Sequence, residues 1–353
     1  MVTKPITSRI DWVDYAKGIC IILVVMMHST LGVEKAAGTL SWVHSFIDWA
    51  RPFRMPDFFM ISGLFLSSRI DKPWREYLDS KVLHFFYFYV LWMSIQVLVK
   101  AYGIYGVEGS AGVLKAYAMG FVEPFGTLWF IYLLPIFFIV VKALRRVPPL
   151  AIFLIGAVLL SARIDTGWLL IDEFASRFVY FFAGFWLAKH IFAFADQVNV
   201  KSVLVILAGL IIWGFGNYLM VHAGLSVMPG ISLALGLVGA CAVISTGVLL
   251  SKFKLADALR YCGQNSIVIY LAFFLFMAGS RGALMKFAPN LDLGIIALLV
   301  TACGVVGPVL LYWLTRGTAL NFLFSRPAWA KLAKPLERWH SQGYVKQLNI
   351  KAR

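Results

Sequence analysis

A histidine set within an apolar run is the side chain of this sequence best suited to chemistry. The stretch "RIDWVDYAKGICIILVVMMHST" holds Lys17 and His28 with ten residues between them. Eleven helical steps turn about 1100°, within roughly 20° of three full turns, so both side chains leave one helix face about 16 Å apart. A neutral imidazole can take a proton from a hydroxyl and return it to a leaving group near neutral pH. The plainer alternative is a histidine hydrogen-bonded to a neighbouring helix, with Lys17 reaching out to lipid headgroups.

The next apolar run begins "RPFRMPDFFMISGLFL" and places Arg51 and Arg54 three residues apart on one face. A guanidinium offers a fixed charge and a planar donor fork suited to phosphate, carboxylate or an oxyanion. If this helix descends from outside, Arg54 lies roughly 20 Å above its inner end near Ser67, about the depth of His28. The simpler reading pairs Arg54 with Asp57 at i+3 and leaves Arg51 at the interface. A third basic pair, Lys81 and His84 in "LDSKVLHFFYFYVLW", enters the third run at the cytoplasmic edge. It is either a snorkelling lysine beside an interfacial histidine or a contact for an anionic cytoplasmic ligand.

Other polar positions are less specific. Trp129 and Tyr132 in "TLWFIYLLP" fit an aromatic belt near an outer interface. In "CGQNSIVIYL", Gln264, Asn265, Ser266 and Tyr270 stand at a helix entry, where Asn265 or Ser266 suits an N-cap. His44, His190, His222 and His340 are isolated, and no spacing resembles a metal site. Neither a Walker-type loop nor a dinucleotide glycine pattern is present. Cys20, Cys241, Cys262 and Cys303 form no CxxC pair and read as small core residues.

The elements that must position these residues follow from composition. With 353 residues, 61% of them hydrophobic and 14% charged, the chain has more apolar surface than one soluble core can hide. Runs near the ~20 residues needed to cross a bilayer recur almost to the end. Ten spans are predicted, near 15–33, 48–68, 83–102, 124–141, 150–162, 176–192, 202–221, 230–250, 264–280 and 293–315. The fold class is therefore an all-α polytopic membrane bundle in the plasma (inner) membrane, with the lipid bilayer as its partner. The net charge of +15 raises nucleic acid as a ligand, but its distribution argues otherwise. With the N-terminus inside, 23 of the 32 Lys and Arg fall on the cytoplasmic side and seven outside. That is the positive-inside pattern, with both termini cytoplasmic. The fifth span, between Pro149 and Arg163, is short, yet the alternating charge of the later loops requires it to cross.

Lys4 and Arg9 ahead of an apolar stretch also resemble a signal peptide, but Lys17 and His28 inside that stretch argue against one. No fixed-period repeat, low-complexity tract or soluble domain is visible, so residues 1–320 read as one transmembrane domain and 321–353 as a basic cytoplasmic tail. In that tail Trp329, Leu332, Leu336 and Trp339 recur at helical spacing between Lys331, Lys334 and Arg338. This predicts an amphipathic helix on the inner leaflet, kinked at Pro335.

Taken together, these residues resemble the acyltransferase 3 family of membrane O-acyltransferases, especially its bacterial branch of fucose acetylase-like inner-membrane proteins. The likeness rests on "DYAKGICIILVVMMHS", which fits a pattern of Arg or Lys, ten residues, then His. It rests also on "FRMPDFFMISGLF", the basic residues entering the third helix, "LWF" and "GQNSIVIYL". The resemblance implies transfer of an acyl group, usually acetyl from cytoplasmic acetyl-CoA, to a hydroxyl of an envelope saccharide or glycolipid. No bound cofactor is implied, only the acyl-CoA donor. His28 is then the catalytic base, Lys17 its basic companion and Arg54 the stabiliser of the oxyanion. Arg51, Lys81, His84, Trp129 and Tyr270 become substrate-binding candidates. The chain departs from the pattern in two places. Lys81 and His84 stand where many members have an RxxR pair, and Tyr270, Leu271, Ala272, Phe273 replaces a YLxH ending. The rival classes are a transporter or flippase for an anionic or saccharide substrate, and an inactive family member acting as a scaffold. A transporter favours Gly- or Pro-broken half-helices at matching places in two repeats, a symmetry this sequence lacks.

Overall fold

The computed structural model describes residues 10–332, and among these it is helical throughout with no strands. In chain order the helices are α1 (Asp11–Ala37), α2 (Val43–Leu64), α3 (Trp74–Leu78), α4 (His84–Met119), α5 (Trp129–Ala143), α6 (Pro149–Ser161) and α7 (Leu169–Trp186). They continue as α8 (Ala188–Val200), α9 (Val203–His222), α10 (Ile231–Phe253), α11 (Asp257–Gln264), α12 (Ser266–Phe287) and α13 (Leu293–Thr315). The ten predicted segments fall on helices in order, except that the sixth, 176–192, straddles the bent break between α7 and α8.

Six of these elements are long and apolar enough to cross a membrane: α1, the continuous rod Trp74–Met119, α9, α10, α12 and α13. The α7–α8 pair, bent by 73°, makes a seventh if it is one span. α2 has 22 residues, but Asp48, Arg51, Arg54 and Asp57 lie within it. The predicted span at α5 shrinks to 15 residues, and α6 has the 13 residues of its predicted span. At 1.5 Å per residue these are only ~20 Å long, against a hydrocarbon layer of ~30 Å.

The third element differs most from expectation. The predicted span of 83–102 is the middle of a 46-residue helical rod. A π-helical turn, Asp79–Leu83, joins α3 to α4 and carries Lys81. At its far end the rod runs on to Met119 through a kink at Gly109, where φ is 65°. Glycines at 103, 106, 109 and 112 weaken the helical signal there.

α1 is the centre of the bundle and packs against α2, α10, α11, α12 and α13. Its closest approach is to α11, where a Cβ at Gly263 would stand 1.6 Å from the Asp14 carbonyl and one at Gly18 2.2 Å from that of Leu259. Only bare backbone fits at both positions. Elsewhere the core is aromatic, with Phe58 stacked on Phe130 at 4.5 Å and Phe137 packed on Phe174, Phe178 and Phe181. Such pairs add to the burial term through their edge-to-face geometry. At the end of the bundle farther from Lys17, the Trp42 indole donates to Asp292 Oδ1 at 2.9 Å, which holds that carboxyl below its usual range. Asp292 also caps α13 by accepting from Ile295 N. Of the predicted tail helix, residues beyond 332, including Leu336 and Trp339, lie outside the described residues.

Candidate active site

α1 supplies both ends of the site. Near its start, Lys17 opens onto a cavity of about 200 Å³. Helical spacing builds the walls: Phe58, Ile61, Ser62 and Phe65 come from α2, and Phe130, Leu134 and Phe138 from α5. Lys17 Nζ sits 5.6 Å from the Phe65 ring, and Lys81 enters from the π turn, 4.9 Å from Phe138. A cation over an aromatic face is attracted by the ring quadrupole, so both lysines are seated by the same walls that shape the cavity. Ser62 and Ser266 add the polar lining.

At the other end, His28 is half-buried with its ring 5.4 Å from Phe273 of α12. Among the described residues it has no hydrogen-bond partner, so the reading of a tied structural histidine is not what the fold presents. Arg54 is 7% exposed and lies within electrostatic reach of His28. Its guanidinium turns back along α2, donating from Nη1 to the Ile47 carbonyl at 3.2 Å. The i+3 pairing with Asp57 is not formed: both Asp57 carboxylate oxygens are buried without a hydrogen-bond partner among the described residues, as is Arg54 Nε. Arg54 has its anchor farther up its own helix, at the Ile47 carbonyl. Ser29 and Thr30, beside His28, likewise bury hydroxyls without partners among the described residues. One turn beyond His28, a Cβ at Gly32 would stand 2.4 Å from Arg281 Nη1, so a guanidinium from α12 rests on bare α1 backbone.

The remaining predicted residues frame the site. Arg51 has a 52% exposed side chain and lies 3.9 Å from Asp48, outside the buried cluster. His84 packs its ring against Phe85 and Phe88 rather than lining the cavity. Trp129 is half-buried, 5.9 Å from Phe59. Tyr270 is buried; its hydroxyl donates to Thr127 O at 2.5 Å and accepts from Phe130 N at 3.1 Å. It therefore fixes the start of α5 against α12, with its hydrogen-bonding capacity used by backbone.

Phe273, known from the sequence only as the residue at the histidine place of the YLxH ending, meets His28 through the packing of α12. Other groups escaped the sequence reading. Arg281 reaches α1 by the same packing and lies in no spacing pattern with His28. Lys142 looked like a topology charge, but it is 2% exposed and donates to the carbonyls of Ile70 and Lys72 at 2.7 Å each. Its position at the end of an apolar helix was the available signal.

The acyltransferase domain model matches residues 10–314, which includes both ends of this site. The chain belongs to the acyltransferase 3 family. It is a membrane acyltransferase by family and a multi-pass inner-membrane protein. This acyltransferase is 24% identical to the inner membrane protein YcfT of Escherichia coli (strain K12), over 90% of its own length and 96% of that protein's. It is also 26% identical to the nodulation protein NolL of Mesorhizobium japonicum, over 41% of its own length and 38% of the other's. No solved structure matches the chain.

Proposed function

We propose that this acyltransferase moves an acyl group, in the first instance acetyl, from cytoplasmic acyl-CoA to a hydroxyl of an envelope saccharide or glycolipid, with His28 as general base. The observation that carries this reading is the division of one helix face. Lys17 stands on an aromatic-walled cavity with Lys81, and His28 stands three turns farther with Arg54 within reach. At about 200 Å³ the cavity is smaller than the ~300–1,000 Å³ of sites that enclose drug-sized ligands. A thin thioester arm suits it, while the nucleotide end of CoA stays outside among the cations.

In this reading the acceptor hydroxyl approaches His28 from the outer side. The imidazole takes its proton as the oxygen attacks the thioester carbonyl, and the proton then passes to the CoA thiolate as the C–S bond breaks. Arg54 stabilises the tetrahedral oxyanion, since a preorganised cation in a water-poor site acts more strongly than in bulk solvent. Lys17 and Lys81 hold the donor. The same reading has ten membrane crossings, with α2 and α5 shielded inside the bundle and α6 at its edge, and both termini cytoplasmic.

The direct test is to purify the full chain in detergent, measure binding and turnover of acetyl-CoA, and compare envelope acylation in cells carrying wild type or His28→Ala. Binding and turnover by wild type with loss of acylation in the variant is the expected result. Absence of any CoA-ester binding, or equal acylation by both proteins, would remove the enzyme reading. A cysteine introduced at 222–229 is expected to react with an impermeant reagent from outside, and protection there would invert the later half of the topology.

A further inference from the structure

After α13 the chain turns back across the Lys17 end of the bundle through two 3₁₀ turns, Ala319–Leu323 and Ala328–Ala330. Side chains of α4 hold its backbone: Trp92 Nε1 donates to Leu323 O at 3.0 Å and Tyr87 Oη to Phe322 O at 3.1 Å. Arg326 is 8% exposed and closes on Asp79 of the π turn, with Nη2 3.0 Å from Oδ1 and Nη1 donating to the Asp79 carbonyl at 2.9 Å. The same Oδ1 accepts from Leu332 N at 2.8 Å, and Arg75 Nη2 donates to Leu332 O at 3.3 Å. A desolvated ion pair that also makes two hydrogen bonds with backbone groups differs from a surface charge, because losing either partner strands the other in a dry site.

This latch has two geometric consequences. It clamps the turn that carries Lys81, two residues from Asp79. It also sets exposed Lys331, next to the pinned Leu332, beside the π turn, within electrostatic reach of His84. Asp79, the carboxylate within that group, is already engaged by Arg326 and Leu332. Lys81 in the cavity wall and exposed Lys331 beside the π turn leave positive charge that suits a ligand with several anionic oxygens. Lysine binds phosphate as a mobile point charge.

We propose that the returning segment is part of the donor site: the Arg326–Asp79 latch positions Lys81 and brings in Lys331, and these with His84 bind the phosphates of the nucleotide end of the donor. The proposal rests on the acyl-CoA reading above. It makes the segment a specificity element, since it recognises the part of the donor that never enters the cavity.

The test compares acetyl-CoA with acetyl-pantetheine, which has the same thioester arm without nucleotide phosphates, in purified full-length protein. Lys331→Gln is expected to raise KM for acetyl-CoA about tenfold, as for one charge-assisted contact, with kcat within twofold and KM for acetyl-pantetheine unchanged. Arg326→Gln is expected to lose more of the same discrimination, and Arg326→Lys to restore part of it. Thermal unfolding shows whether the Arg326 variants keep the fold, and the exposed Lys331 position keeps the proposal testable if they do not. An unchanged KM for acetyl-CoA in Lys331→Gln, or an equal loss with both donors, would overturn the proposal. Wild type that binds neither donor would instead sink the acyl-CoA reading, and this proposal with it.

Discussion

The two ends of α1 solve different problems with the same helix face. Around Lys17 the walls are Phe58, Phe65, Phe130 and Phe138, and the charged groups stand at the rim over those rings. Around His28 the packing is closer and the polar atoms are inside: Arg54 Nε and the hydroxyls of Ser29 and Thr30 are buried without partners among the described residues. Unpaired buried polar groups each cost about 1–3 kcal/mol. Such atoms occur at both ends, since Asp14 Oδ2, one turn before Lys17, is also unpartnered among the described residues; what sets the other end apart is Arg54 within electrostatic reach of the His28 imidazole. Under the proposed function this difference is a division of labour, with binding at the Lys17 end and bond-making at the His28 end.

The sharpest way to break that division is at His28. His28→Ala is expected to lower kcat by about 10²–10⁴-fold, the range for loss of a positioned general base, while leaving the donor Kd within twofold. Single-turnover kinetics alongside equilibrium acetyl-CoA binding would check it. A variant that loses donor affinity together with rate would merge the two ends into one site.

Arg54 comes next. Arg54→Lys keeps a charge but loses the fork that reaches the Ile47 carbonyl, and kcat is expected to fall about 10²-fold with little change in donor KM. If KM rises while kcat holds, Arg54 belongs to binding and the oxyanion role is wrong. Lys17→Ala should show the opposite split, with donor KM raised about tenfold and kcat within a few-fold. A Lys17 variant as slow as His28→Ala would mean that the lysine acts on the histidine and not on the donor.

How much of this was legible beforehand depended on range in the sequence. Lys17 and His28 share a helix, so periodicity alone placed them on one face. Long apolar runs located the helical segments but not how many cross, because α5 is shorter than its predicted run, α6 has the 13 residues already short for a crossing, and α2 carries five ionisable residues. Local rules also misjudged Arg54: Asp57 at i+3 was the nearest acid in sequence, yet the side chain took a carbonyl seven residues back. Contacts across the bundle were out of reach. Phe273 meets His28, Arg281 covers Gly32 and Arg326 finds Asp79 only because helices far apart in sequence pack together.

Tyr270 sharpens the comparison by lying between the two ends and belonging to neither reaction step. Its ring packs on Phe130, a wall of the cavity, and lies 6.1 Å from Phe273, the ring beside His28. Its hydroxyl is spent on the Thr127 carbonyl and the Phe130 amide. Tyr270→Phe keeps the ring and strands those two backbone groups in a buried place, so a stability loss of about 1–3 kcal/mol is expected. Because α5 and α12 would still be apposed through the aromatic contacts, kcat and donor KM should both stay within about twofold at a temperature well below the transition. Thermal unfolding and kinetics on the same preparation separate the possibilities. A kinetic defect in a variant of unchanged stability would make the hydroxyl a substrate contact after all, and would place a third functional point between Lys17 and His28.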